Sequence, residues 1–295
     1  MASDLGVTGE VPPVLATKAA ARAAEERPTY TIRPARRRIK LRQILSDHQI
    51  ISVLAARDLK VRYKQSLLGP LWLVFQPLAL LVGFTVGFSG IADVKTGGVP
   101  YAVFALVGLT VWSFFQASAT IGTACVLSNV QYVRYTPCPR GAFPAAAVIA
   151  SLPAFLVTAL GAVIAAAIAG DLSPRVVVVP LLAFWLIVLT LGVVWVTSSL
   201  TVRYRDINSA LPFLLQVGTF LAPVGYPLGS LSSTAQAVVS ANPLTGVIEA
   251  MRWATLSGYQ PLASAIIVSA VATPVVVIAG WRLFSRLETT MADDI

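Results

Sequence analysis

Charge is scarce in this sequence. Of its 295 residues only 12% are Asp, Glu, Lys or Arg, against 56% hydrophobic. A soluble domain carries about twice that share of charge on its surface, so the bilayer is the solvent for most of this chain. Histidine occurs once, at His48, and cysteine twice, at Cys125 and Cys138. A single histidine leaves no Ser–His or Cys–His nucleophile pair in the apolar part of the chain. Two cysteines without histidine beside them do not make a metal site, and both fall where thiols are expected to stay reduced. The 13 carboxylates are expected in the N-terminal tail or at loops and span ends, which leaves neither an acid–base pair nor a proton relay at membrane depth. No Gly-x-x-x-x-Gly-Lys-Ser/Thr phosphate loop occurs. These absences argue against an enzyme and against proton-coupled transport. If the chain moves something against a gradient, a partner must supply the energy. The first thirty residues lack an apolar core, so no cleavable leader is expected.

What the sequence has is long apolar runs. Uncharged stretches occupy 65–92, 96–133, 141–170, 176–202, 207–248 and 253–281, and crossing the hydrocarbon takes roughly 20 apolar residues in a helix. The runs are continuous, without the alternation of a barrel strand, so helices are expected. Basic residues set the orientation: 19 of the 22 fall on one side of a six-span arrangement, leaving Lys95, Arg175 and Arg252 on the other. The basic side is expected to be cytoplasmic, with both termini there. The net charge of +9 therefore reads as topology and contact with anionic lipid, not as nucleic-acid binding.

Local patterns divide the chain further. Residues 1–41 read as a disordered, basic cytoplasmic tail. Over 42–64 the pattern is helical. Ile50, Leu54 and Val61 share a face with Ile51 beside them, flanked by Arg57, Asp58, Lys60, Arg62 and Lys64, which describes a helix lying in the membrane interface. Spans follow at about 67–91, 101–123, 143–169, 176–200, 208–227 and 262–283. In the third, Gly161, Ala165 and Ala169 offer small residues for close helix approach. The fifth run is about twice the length one span needs and holds Pro212, Pro223, Pro227 and Pro243. One span ends near Pro227, and short external or re-entrant helices fill about 228–258. Asn242 is suited to an N-cap with Pro243 at N1, Gly258 to a helix end, and Glu249 and Arg252 to pairing at i, i+3. Residues 287–295 form a C-terminal cytoplasmic tail.

Aromatic side chains stack on the apolar faces of sugars. Trp72 and Phe75, and Phe84 and Phe88, each share a face of the first span. Phe220 and Tyr226 lie toward the outer end of the fifth. All six are candidates for a translocation path.

The segment 57–72, Arg-Asp-Leu-Lys-Val-Arg-Tyr-Lys-Gln-Ser-Leu-Leu-Gly-Pro-Leu-Trp, running on to Gln76-Pro77, resembles the start of the permease subunits of ABC-2 type polysaccharide exporters. That family includes the O-antigen, teichoic acid and lipid-linked galactan exporters. Arg203-Tyr-Arg-Asp-Ile207, Pro223-Val-Gly-Tyr-Pro227 and Asn242-Pro-Leu244 extend the resemblance over about 42–286. It implies an ABC-2 type transmembrane domain in a homodimer at the inner membrane, with two copies of a separate ATPase subunit that bind ATP and Mg. This chain would hold no cofactor of its own. The cargo implied is a lipid-linked polysaccharide; the alternative is an ABC-2 permease for a hydrophobic drug or lipid. A membrane-embedded glycosyl- or acyltransferase lacks its acid–base pair. The resemblance further implies that Arg134, Tyr135, Pro137, Pro139 and Arg140 contact the ATPase, and that Asn242, Pro243, Glu249 and Arg252 belong to an external gate.

Overall fold

Uncharged runs fold into helices because no water is available in the hydrocarbon to satisfy the backbone. The computed structural model describes residues 48–64, 66–91, 94, 96, 98–135, 139–288 and 291. The expected tail 1–41 and the first residues of the expected interfacial helix, 42–47, lie outside them.

Helix α1 (His48–Tyr63) precedes a 3₁₀ turn, Gly69–Leu71, and α2 (Trp72–Phe84), which widens into a π-helix over Thr85–Ile91. Then come α3 (Tyr101–Ser128) and the short α4 (Val130–Tyr135). Helices α5 (Ala142–Ala150) and α6 (Leu152–Ile168) form one membrane-length unit broken at Ser151. Pro153 brings no N–H to the ladder there, and Ser151 Oγ donates back to the Ala147 carbonyl at 3.3 Å. The remainder is α7 (Val179–Arg203), α8 (Asp206–Leu221), α9 (Ser233–Ser240), α10 (Pro243–Thr255) and α11 (Ala263–Leu287). Among the described residues the only β feature is an isolated bridge between Leu172 and Leu256. The chain is an all-α integral membrane protein.

Among the described residues five helical units are long and apolar enough to cross a membrane: Trp72–Gly90, Tyr101–Ser128, Ala142–Ile168, Pro174–Arg203 and Ala263–Leu287. The fifth expected span is represented by α8, whose 16 residues reach about 24 Å at 1.5 Å per residue. It stops at Ala222, which is extended (φ −79°, ψ 148°) because the following Pro223 excludes the helical conformation.

Close packing centres on α3 and α7. A Cβ added to Gly280 of α11 would collide with the carbonyl of Gly192 on α7, so these two backbones touch. Trp195 and Trp281 close the same seam edge to face at 5.1 Å, and Trp185 Nε1 donates to Thr273 Oγ1 at 2.8 Å. Gly161, expected to serve such a contact, instead faces open space. Its neighbours across the helix face are too far away for the missing side chain to matter.

Helix α1 packs on α5 through Ile51, Leu54 and Ala55, while Ile50 and Val61 stay 38% and 67% exposed. The buried stripe is therefore offset from the expected one. Alanine-rich α5 accepts a small residue at close range, and that selects Ala55. At the chain's other end Met291, within the expected C-terminal tail, is buried in the same cluster with Phe143 and Phe284.

Candidate functional site

A groove of about 820 Å³ lies between α2, α3 and α6, within the range of ligand-binding clefts. Arg62 and Ser66 stand at one end. Trp72, Phe75, Gln76 and Leu80 come from α2, Ser113, Phe114, Gln116 and Thr120 from α3, and Phe155 and Thr158 from α6. The polar groups differ in their needs. Thr158 Oγ1 donates to the Ala154 carbonyl at 3.1 Å. Ser113 Oγ is buried without a partner among the described residues, and Gln76 and Gln116 make no side-chain hydrogen bond there either. Sequence reasoning missed these amides, because a glutamine within an apolar run gives no sign of which wall it faces.

The six aromatic candidates divide into two sets. Trp72 and Phe75 pack edge to face at 5.5 Å inside the groove. Phe84 stacks on Phe88 at 5.3 Å and on Phe220 at 6.2 Å, outside it. Phe84 is buried and Phe220 is 60% exposed. Tyr226 donates its hydroxyl to the Leu221 carbonyl at 3.0 Å, which closes the turn after α8.

That turn is gripped from two helices. Tyr101 Oη donates to the Gly225 carbonyl at 2.8 Å, and Arg252 Nη2 donates to the Val224 carbonyl at 2.6 Å. Arg252 also stands 3.6 Å from Glu249. Glu249 in turn accepts from Tyr259 Oη at 2.8 Å and from the Leu262 N–H at 3.2 Å. Asn242 Oδ1 accepts from the Leu244 N–H at 3.0 Å, and Pro243 follows as the first helical residue. The side chains of Glu249 and Arg252 are 1% and 0% exposed. The pair expected from the i, i+3 spacing is therefore present, and it is buried inside the bundle. Helix α10 is sunk between α3, α7 and α11, and a Cβ at Gly108 would come within 2.7 Å of Arg252 Nη2. Gly108 is seven residues into α3, so the pair sits about 10 Å below its start.

The opposite end carries the basic residues. Arg57 donates to Asp58 Oδ1 at 2.7 Å and to Asn129 Oδ1 at 2.6 Å, and stands over the Tyr132 ring at 5.2 Å. Asn129 Nδ2 donates to the Cys125 carbonyl at 2.7 Å. Helix α1 is thereby tied to the base of α3 and the start of α4. Arg140 donates to the Glu288 carbonyl beyond α11. Burial lifts the Glu288 carboxyl to about 7, with Arg140 opposing. Lys60 and Arg62 on α1, and Lys64 just beyond it, make no ion pair among the described residues. Pro139 borders the loop. Pro137 and Cys138 lie outside the described residues, as do the side chains of Arg134 and Tyr135. Among the described residues no cluster of His, Cys, Asp and Glu could hold a metal ion.

Comparison with known proteins bears on this architecture. A family model described as ABC-2 type transporter matches residues 49–256. The O-antigen export system permease protein RfbA of Klebsiella pneumoniae is 26% identical over 250 residues, 83% of this chain and 94% of its own. RfbA of Myxococcus xanthus is 22% identical over 258 residues, 86% and 98% of the two chains. The polysialic acid transport protein KpsM of Escherichia coli is 23% identical over 244 residues, 82% and 94%. Since the family match runs over well more than half of the sequence, from α1 to the end of α10, the chain belongs to the ABC-2 type transporter family.

Proposed function

We propose that this chain is the membrane-spanning permease subunit of an ATP-driven exporter that carries a lipid-linked polysaccharide from the cytoplasmic to the outer face of the inner membrane. The observation that carries the reading is a pair of amides without a partner among the described residues, Gln76 and Gln116, set in an otherwise mainly apolar groove at membrane depth. Gln76 and Gln116 face the groove, and Gln216 of α8 is exposed. An amide facing hydrocarbon without a partner costs several kcal/mol, so these walls meet a polar cargo, water or protein. A hydroxyl-rich glycan on a lipid meets the amides, while its sugar faces and its anchor suit the apolar lining around them. The near end-to-end match to O-antigen and polysialic acid transport proteins supports the same choice.

The remaining parts follow from the side with Arg57, Arg140 and Glu288 being cytoplasmic. ATP and Mg bind a separate ATPase subunit, which docks against α1, α4 and the 136–141 loop. The Arg57–Asn129 bond carries its movement into α3. Two copies of the permease enclose the path. Phe213, Gln216 and Phe220, exposed on α8, face the second copy or the glycan between them. Helices α9 and α10 close the outer end.

Deleting the gene tests the reading. Surface polysaccharide should vanish while lipid-linked glycan builds up in the cytoplasm, and plasmid-borne permease should reverse both. Unchanged surface glycan with altered sensitivity to hydrophobic drugs would overturn it.

A further inference from the structure

The groove between α2, α3 and α6 is confined to one half of the bundle. Its walls take residues 113–121 of α3 and 72–80 of α2, and Arg57 ties the neighbouring end of α3 to α1. Arg62 and Ser66 therefore mark a mouth at the basic side. Beyond the Arg62 cation the mainly apolar lining carries an aromatic pair at Trp72 and Phe75 and, among the described residues, unpartnered polar groups at Gln76, Gln116 and Ser113. Each calls for a different part of one molecule. A guanidinium calls for phosphate, an aromatic face for the apolar face of a sugar, and an unpartnered amide for sugar hydroxyls.

Resting on the polysaccharide-exporter reading, we propose that this groove holds the head of the lipid that carries the glycan. Its phosphate lies against Arg62, its first sugars lie on Trp72, Gln76 and Gln116, and its hydrocarbon chain leaves between α2 and α6 into the bilayer. An ordinary phospholipid carries no sugar hydroxyls to meet these amides. Gln116 is twelve residues, about 18 Å of helix, from the Ser128 end of α3, deeper than the level at which a glycerophosphate head resides. A head extended by sugars offers hydroxyls to the amides while its phosphate meets Arg62.

The experiment uses the full-length permease with its ATPase in nanodiscs and native mass spectrometry with three probes: a prenyl diphosphate-linked disaccharide, the same prenyl diphosphate without sugar, and phosphatidylglycerol. The sugar-bearing probe should bind and resist displacement by phosphatidylglycerol. Arg62→Gln should weaken both prenyl probes about tenfold. Gln116→Met, close in volume, and Gln76→Met should weaken only the sugar-bearing probe, by about three- to tenfold. All three variants should melt with the parent. Equal binding of phosphatidylglycerol, or parental affinity in all three variants, would overturn the assignment and leave a resident-lipid groove. Surface glycan measured in cells separates the two levels. If the parent restores export and Arg62→Gln exports and binds like it, the groove assignment falls and the exporter reading stands. If the parent fails to restore export, both fall.

Discussion

The guanidinium carbon of Arg252 lies 3.6 Å from the centroid of the Phe104 ring. The contact fixes a cation in a place that water does not reach, with Glu249 as its ionic partner. Removing one member of such a pair leaves the other charged and buried, at a cost of about 3–5 kcal/mol. Arg252→Met should therefore lower the melting temperature of the purified permease sharply. Lysine should not restore it, because an ammonium cannot both lie flat on the ring and reach the Val224 carbonyl. The double variant Glu249→Gln, Arg252→Met should cost less than the two single changes added together. Additive losses would show that the pair is not coupled.

Glu288 gives the fold a pH dependence. Its folded value of about 7 exceeds the ordinary 4.5, so the folded state favours the neutral acid. The stabilisation is complete below about pH 4.5 and is lost as pH rises through 7, amounting to about 1–3 kcal/mol. Thermal melts between pH 5.5 and 8.5 should show stability falling with pH, and Glu288→Gln should flatten that slope. A slope of opposite sign would place the titrating group elsewhere.

The Arg57–Asn129 bond should matter to coupling more than to assembly. Arg57→Ala and Asn129→Ala should each raise ATP turnover in the absence of glycan while cutting export. Their double-mutant cycle should return about 1.5–3 kcal/mol, the range for a hydrogen bond to a charged group. Arg140→Glu sets two acids beside each other at the end of α11 and should weaken ATPase pull-down. Intact docking and intact coupling in all of these variants would remove this end of the molecule from energy transfer.

Phe84 and Phe220 stack on each other yet should respond differently. Phe84 is buried against the 222–227 turn, so Phe84→Ala should reduce permease abundance, and Leu should rescue it in part. Phe220 is open, so Phe220→Ala should lower surface glycan at normal abundance, with Tyr or Trp restoring export and Leu failing. Equal rescue by Leu would make Phe220 a packing residue.

Side-specific thiol labelling checks orientation. Cys125 is buried and should stay silent, which makes Cys138 the native reporter. An impermeant reagent on intact cells should label a cysteine replacing Arg175 and leave Cys138 untouched.

Much of this arrangement is legible in the order of residues. Long uncharged runs become helices because the bilayer offers the backbone no other partner. Asn242 and Pro243 start α10 because capping is a local property, settled by a bond to the Leu244 N–H two residues on. What escaped the reading depends on neighbours distant in the chain. Glu249 and Arg252 look like a surface pair at i, i+3 until Phe104, Val224 and Tyr259 close over them. Ala55 is buried in place of Ile50 because of what α5 presents to α1. The groove amides escaped for a similar reason: helical spacing shows which residues share a face, but not which face is left uncovered.

The brevity of α8 has a consequence for the cargo. At about 24 Å it falls about 6 Å short of a typical hydrocarbon core, and the turn that follows it is held by Tyr101 and Arg252. A wall that short confines what passes beside it over less than the thickness of the bilayer. The exposed face of α8, with Phe213, Gln216 and Phe220, therefore keeps a polar polymer out of water for less of its length than the membrane alone would impose.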